Sequence, residues 1–269
     1  MISMLLSLPY QTKYRIVTDV EDLAYSLKRE YGKYIVQNGH SDSEIFVYSN
    51  KGSYKVIVSG AVYLVADPLR TVKNYIFEST IFDKSVFAVH GAAVEYRNRA
   101  YIFLAPTMGG KSTLTSYLSS NGFGYLTDDC VLIHRESFSV YPYTLPIHLR
   151  KGGIEVLKEH NSLPHRFQIV NDRYIYIPMN CVCHTVSIAK VFFILRTDNE
   201  NGVSKLGVVE GTEKLLKSPI TRYKLNDDYF NFITRFVKRV PLYSLHFSDV
   251  EYVIDIIKHD AIIKEYRER

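Results

Sequence analysis

The sequence predicts an α/β protein with a small N-terminal β-rich region, and three observations carry that reading. A short apolar strand at 101–104 runs into the loop Ala105-Pro106-Thr107-Met108-Gly109-Gly110-Lys111-Ser112, and a helical stretch over 112–120 follows, stopped by Asn121-Gly122. A second apolar stretch, over 125–133, carries the paired acids Asp128 and Asp129. Upstream, runs at 44–48, 54–58 and 61–65 are rich in β-branched and aromatic residues and are parted by turn formers.

In chain order, residues 1–84 form one expected region. Positions 1–8 are apolar but short, with no charged leading segment and no small-residue cleavage site, so no signal peptide is expected. Val20, Leu23 and Leu27 have helical spacing, which predicts a helix over 19–31 ending at Gly32. The three strands after it predict a small antiparallel sheet, either a substrate-docking module or an extension of the main sheet.

Residues 85–269 are the expected catalytic core, with strands at 86–94, 101–104, 125–133 and 189–195. The stretch 140–180 mixes Pro, Gly, His and Tyr and reads as irregular, the rim of a groove, where Arg166 and Arg173 could meet an acidic peptide or a terminal carboxylate. Asn226 is placed to cap a helix over 227–239 that shows Phe230, Ile233 and Val237 on one face and stops before Pro241. Ser248 and Glu251 have capping-box spacing before a last helix with Val250, Val253, Ile254, Ile257 and Ile262.

The loop fits the pattern G-x-x-x-x-G-K-[ST] at three of four fixed positions, with Ala105 for the first glycine. Gly109 and Gly110 let the backbone curl so that successive N–H groups face one point, and the helix that starts there favours an anion. The expected phosphate cradle is Ala105 to Thr113. Lys111 reaches the β- and γ-phosphates of a nucleoside triphosphate, and the Ser112 hydroxyl ligates Mg²⁺. A carboxylate in an apolar strand is costly unless paired or metal-bound, and neighbouring side chains point to opposite faces, so Asp128 and Asp129 are expected to differ in role. One would hold the metal and the other would accept a proton.

At His90-Gly91-Ala92-Ala93-Val94, the loop, Gly122 and Asp128-Asp129-x-Val131, the chain resembles the HPr kinase/phosphorylase family. The resemblance is tight over 90–133, weak to about 154, and architectural beyond. It implies a P-loop core of the HPr kinase C-terminal domain type, ATP and Mg²⁺ as cofactors, and phosphorylation of a serine. It also implies that Asp129 is the base, that Asp128 supports it or the metal, and that His90 tunes the pair. In size and in its N-terminal portion the chain looks most like the family members that phosphorylate ribosomally made lasso peptide precursors. The family's hexamer makes a homo-oligomer an expectation by analogy.

Two departures stand out. Where the family has an acid that helps hold the metal, this chain has His148, in His148-Leu149-Arg150-Lys151-Gly152-Gly153-Ile154. Imidazole is a poor ligand for hard Mg²⁺. Either the alignment is off there, or the metal relies on Ser112 and the acid pair. Arg150 fits and could reach a phosphate or a substrate carboxylate. The family's C-terminal Pro-Gly-Arg-Asn loop is missing, which leaves phosphorolysis of the phosphoserine without that element.

The net charge of +5 suits acidic ligands but is spread along the chain, unlike the clustered footprint of a nucleic-acid binder. No apolar run reaches membrane-span length, and three cysteines fit a reducing cytoplasm. Cys181-Val182-Cys183-His184 lacks a second ligand pair and reads as a strand rather than a metal site. The expectation is a cytoplasmic ATP-dependent serine kinase of a peptide. A kinase of a carrier protein such as HPr or of a small hydroxyl metabolite, a non-catalytic nucleotide-switched binder, and a carboxykinase-like enzyme stay open beside it.

Overall fold

The computed structural model describes residues 1–9, 12–81, 85–217 and 227–267, with side chains described as far as Asp260. The chain divides into two compact units, Met1–Val86 and Phe87–Arg269.

The first unit is a sheet with two helices. Its elements are β1 (Ile2–Ser7), β2 (Lys13–Thr18), α1 (Glu21–Tyr31), β3 (Ile35–Val36), β4 (Ser43–Asn50), β5 (Ser53–Val58), β6 (Ala61–Val65) and α2 (Pro68–Ile81). Strand order is β3-β1-β2-β4-β5-β6. Helix α1 buries Leu23, Ala24, Leu27 and Tyr31 on one face and carries acids in its first turn and bases in its last, which complements the helix dipole. The three strands expected to form a small antiparallel sheet, β4, β5 and β6, do pair antiparallel, but the sheet extends beyond them and is mixed. Strands β2 and β4 run parallel, because the chain crosses over through α1 between them. The apolar opening segment is strand β1, with Met4, Leu5 and Leu6 buried.

The second unit holds β7 (Val86–Tyr96), β8 (Arg99–Leu104), α3 (Lys111–Ser120), β9 (Gly124–Thr127), β10 (Cys130–His134), β11 (Ser139–Tyr141), β12 (Ile147–Leu149), α4 (Lys151–Glu159), β13 (Gln168–Val170) and β14 (Arg173–Tyr176). Then follow β15 (Val186–Arg196), β16 (Gly202–Lys205), α5 (Val208–Leu216), α6 (Asp227–Arg239), β17 (Leu242–Phe247) and α7 (Val250–Arg267). The main sheet runs β11-β10-β7-β8-β15-β17-β16, with β9 also on β7, and β12-β14-β13 form a separate small sheet.

Alternation along β8 explains the layering. Tyr101 and Phe103 face a core shared with α3, α4 and α7, whereas Ala100, Ile102 and Leu104 face a second core filled by α6 and the end of α5. Both faces of the sheet are therefore covered, as expected for strands apolar throughout their length.

Several expectations change. Residues 140–180 are not irregular: they form β12, α4, β13 and β14. The stretch 125–133 is two strands, β9 and β10, broken at the acids by a bend. Helix α6 buries Tyr229, Phe232, Ile233, Phe236 and Val237, while Phe230 is 49% exposed; the stripe with more aromatic surface takes the core. The cap Asn226 lies outside the described residues. Before α7 it is Asp249 that accepts the Glu251 N–H, at 2.9 Å, because Ser248 is engaged by Asn201. Cys181 lies in no strand but forms an isolated bridge to Tyr125, and Cys183 is exposed.

Candidate functional site

Strand β8 delivers the loop. After Leu104 the chain turns, Gly109 N–H closes on the Pro106 carbonyl at 3.0 Å, and α3 begins at Lys111. Gly110, the residue before α3, has φ 84°, a region a side chain would oppose. Met108 holds φ 68° without being glycine, so the loop tip is strained, and its side chain is 78% exposed. No side chain caps α3. The first-turn N–H groups of an uncapped helix are ready donors for an anion.

Lys111 is only 6% exposed, and its Nζ folds back onto the loop, donating to the carbonyls of Ala105 at 2.9 Å and Pro106 at 3.2 Å. Burial holds its pKa below the usual lysine value, against the charges of Asp129 and Asp128. The ammonium therefore lies within electrostatic reach of both acids.

The acids sit on the bend between β9 and β10 and differ sharply. Asp128 is buried, and its pKa is pushed up to about 6, first by burial and then by the charge of Asp129. The Ser112 hydroxyl, His148 and the Tyr125 hydroxyl oppose that rise. The Tyr125 hydroxyl, with one proton to give, lies 2.7 Å from the Leu145 carbonyl oxygen and 3.2 Å from Asp128 Oδ1. Asp129 instead has a side chain 84% exposed, with Oδ1 at 3.4 Å from His90 Nδ1. Burial, then the charge of Lys111, lowers the His90 pKa, and Asp129 partly restores it. This imidazole is therefore held toward its neutral form.

Gly91 explains why a glycine follows His90. Its N–H donates to the Asp129 carbonyl at 3.2 Å, pinning the acid-bearing bend to β7. A methyl group there would stand 2.5 Å from Leu104 Cδ2 and 3.0 Å from the Phe103 carbonyl oxygen.

The fold thus brings Lys111, Ser112, Asp128, Asp129 and His90 together, and adds His148, from β12, beside Asp128. Among the described residues the arginines make no ion pair with the acids. Arg150 is exposed at the head of α4, whose Gly153 packs on Thr113 of α3, Arg166 lies on the exposed chain before β13, and Arg173 starts β14. Two tyrosines went unread in the sequence. Tyr125 lies three residues before Asp128 and had a local signal. Tyr176 had none, since β14 is brought to the site only by the fold. The Tyr176 hydroxyl is buried with no hydrogen-bond partner, and its pKa is raised to about 12, chiefly by burial; Ser116 opposes the rise and Asp128 adds to it.

These groups fit Mg²⁺. Ser112 and Asp128 are hard oxygen donors, and a cation would relieve the burial that raises the Asp128 pKa. Among the described residues no three His, Cys, Asp or Glu side chains form a metal-holding group. A Mg²⁺ ion carried on phosphate oxygens asks for only one or two carboxylates.

No family model matches the chain, and no curated protein matches it. Among solved structures it is similar to the HPr(Ser) kinase/phosphatase from Coxiella burnetii, over 67% of this chain and 96% of that one, at 8% identity and a TM-score of 0.34. Among the described residues no helix is long and apolar enough to cross a membrane.

Proposed function

We propose that this protein is an ATP-dependent kinase that phosphorylates a serine hydroxyl on a peptide. One observation carries the reading: a buried lysine at the head of an uncapped helix, within electrostatic reach of one buried and one exposed carboxylate. The triphosphate takes the loop from Ala105 to Thr113 as its cradle, through the backbone N–H groups of every residue but Pro106, and Lys111 exchanges its two loop carbonyls for phosphate oxygens. Ser112 and Asp128 would hold Mg²⁺, which would supply charge neutralisation on the phosphates.

Asp129 has the exposure a base needs to meet an incoming hydroxyl, and His90 orients it. As the serine oxygen bonds to the γ-phosphorus, its proton passes to Asp129 and the bond from the γ-phosphorus to the β–γ bridging oxygen breaks. The products are phosphoserine, ADP and protonated Asp129. Positioning and fixed charge supply most of the acceleration in such transfers. The resemblance over 90–133 supports a serine kinase, the size and N-terminal portion of the chain support a peptide acceptor of the lasso precursor class, and the three cysteines suit a cytoplasmic setting.

The test is mass spectrometry of serine-containing precursor peptides incubated with the protein, Mg²⁺ and ATP. One added phosphate is expected, absent with Lys111→Ala. Asp129→Asn should lower kcat by about 10²-fold or more while ATP still binds. ATP binding without transfer to any peptide would overturn the kinase reading, and full turnover by Asp129→Asn would remove the base.

A further inference from the structure

The small sheet β12-β14-β13 ends in an open edge. Strands β13 and β14 are joined by Asn171 and Asp172, both at positive φ (48° and 57°), in a two-residue hairpin turn. In such a hairpin the flanking pair Val170–Arg173 exchanges hydrogen bonds, and the next pair, Ile169–Tyr174, does not. The Ile169 N–H and C=O therefore point away from β14, and among the described residues no strand pairs with them.

The two faces at this edge differ in chemistry. Leu149, Tyr174 and Ile169 share one face by register, so the core surface continues from Leu149, 1% exposed, out to Ile169, 61% exposed. Phe167, 43% exposed, lies beside it with its ring 5.2 Å from that of Tyr174. The opposite face carries Arg173. Neither Arg173 nor Arg166 is in an ion pair among the described residues, and Asp172 is the one acid between 163 and 177. An uncovered strand edge with apolar side chains on one face and unpaired cations near it is a template for an added strand.

We propose that the open edge of β13 docks the acceptor peptide as an added strand, with apolar side chains on the Ile169 face and acidic side chains on the Arg173 face. This rests on the kinase reading and names how that kinase selects its substrate. The added strand lies three strand spacings from β12, whose His148 borders Asp128, or about 14 Å at ~4.8 Å per spacing. At ~3.3 Å per residue, the acceptor serine lies about four or more residues from the docked stretch.

The experiment uses the full chain and a fluorescein-labelled peptide of alternating valine and glutamate, with one serine five residues beyond. A second peptide carries lysine for each glutamate. Binding is read by anisotropy without nucleotide, and transfer by mass spectrometry with MgATP. Ile169→Pro removes an outward N–H without touching the ladder to β14, and should weaken binding and raise KM at least about tenfold, leaving kcat unchanged. Arg173→Glu should weaken the glutamate peptide and admit the lysine one, and it carries the test if the proline variant does not fold. Transfer with KM unaltered in both variants would overturn the docking edge while the kinase stands. Binding that both variants weaken, with no transfer by the parent protein, would uphold the edge and remove the kinase. Concentration-dependent self-association that Ile169→Pro abolishes would give the edge to a second copy and overturn the proposal.

Discussion

Asp128 is where the cost of the site concentrates. Its folded pKa of about 6 stands above the ordinary 3.8, because burial and the neighbouring Asp129 both disfavour its charge. The stability tied to its proton is present below the unfolded pKa and is lost as pH rises through about 6. At pH 7.5 the ionised group should destabilise the ligand-free protein by on the order of 3 kcal/mol. Asp128→Asn keeps the shape and removes the charge, so it should raise the melting temperature by several degrees at pH 7.5, with the gain vanishing toward pH 4, while transfer falls. Melting followed by fluorescence from pH 4 to pH 8 checks this; a pH-independent difference would refute it. That two adjacent acids differ was legible from their pairing. Which one is buried was not, because the bend that breaks the strand replaces simple alternation.

At the scale of elements, the loop works because its bulk is rationed. Ala105 fills the space that a first glycine would leave, and a methyl on Gly109 would stand 2.6 Å from Ala105 Cβ and 3.0 Å from the Pro106 carbonyl oxygen. Gly109→Ala should therefore distort the turn that sets Lys111, weakening ATP binding by at least about tenfold with a stability loss of 1–3 kcal/mol, on the order of other overpacked sites. Isothermal titration with ATP would read it, and unaltered affinity would show that the turn yields. Strand β8, the loop and α3 were legible because apolar run, glycines and helix follow one another locally. Helix α6 was legible as a helix but not in its buried face, since Phe230 and Phe232 both lie on plausible stripes. The small sheet was not legible at all: strands of three or four residues carry too few side chains to show a period.

At the scale of the molecule, each unit has a core of its own. Leu6, Tyr14, Ile16, Ile45 and Val47 are buried in Met1–Val86, and two cores flank the main sheet of Phe87–Arg269. Calorimetry should resolve two transitions, of which MgATP raises only that of the second unit, by about 2.7 kcal/mol at a hundred times Kd. One transition that moves as a whole would refute independent units. The sequence by itself determined the strand, glycine loop and helix, the acid pair and the α/β class, because each is written within a few residues of contiguous chain. Only the tertiary structure decided that β2 and β4 run parallel, that Gly91 pins Asp129, and that Tyr176 and His148 arrive beside Asp128. Those relations join residues far apart in the chain, and they are fixed by which apolar faces bury against one another, a choice that no local pattern records.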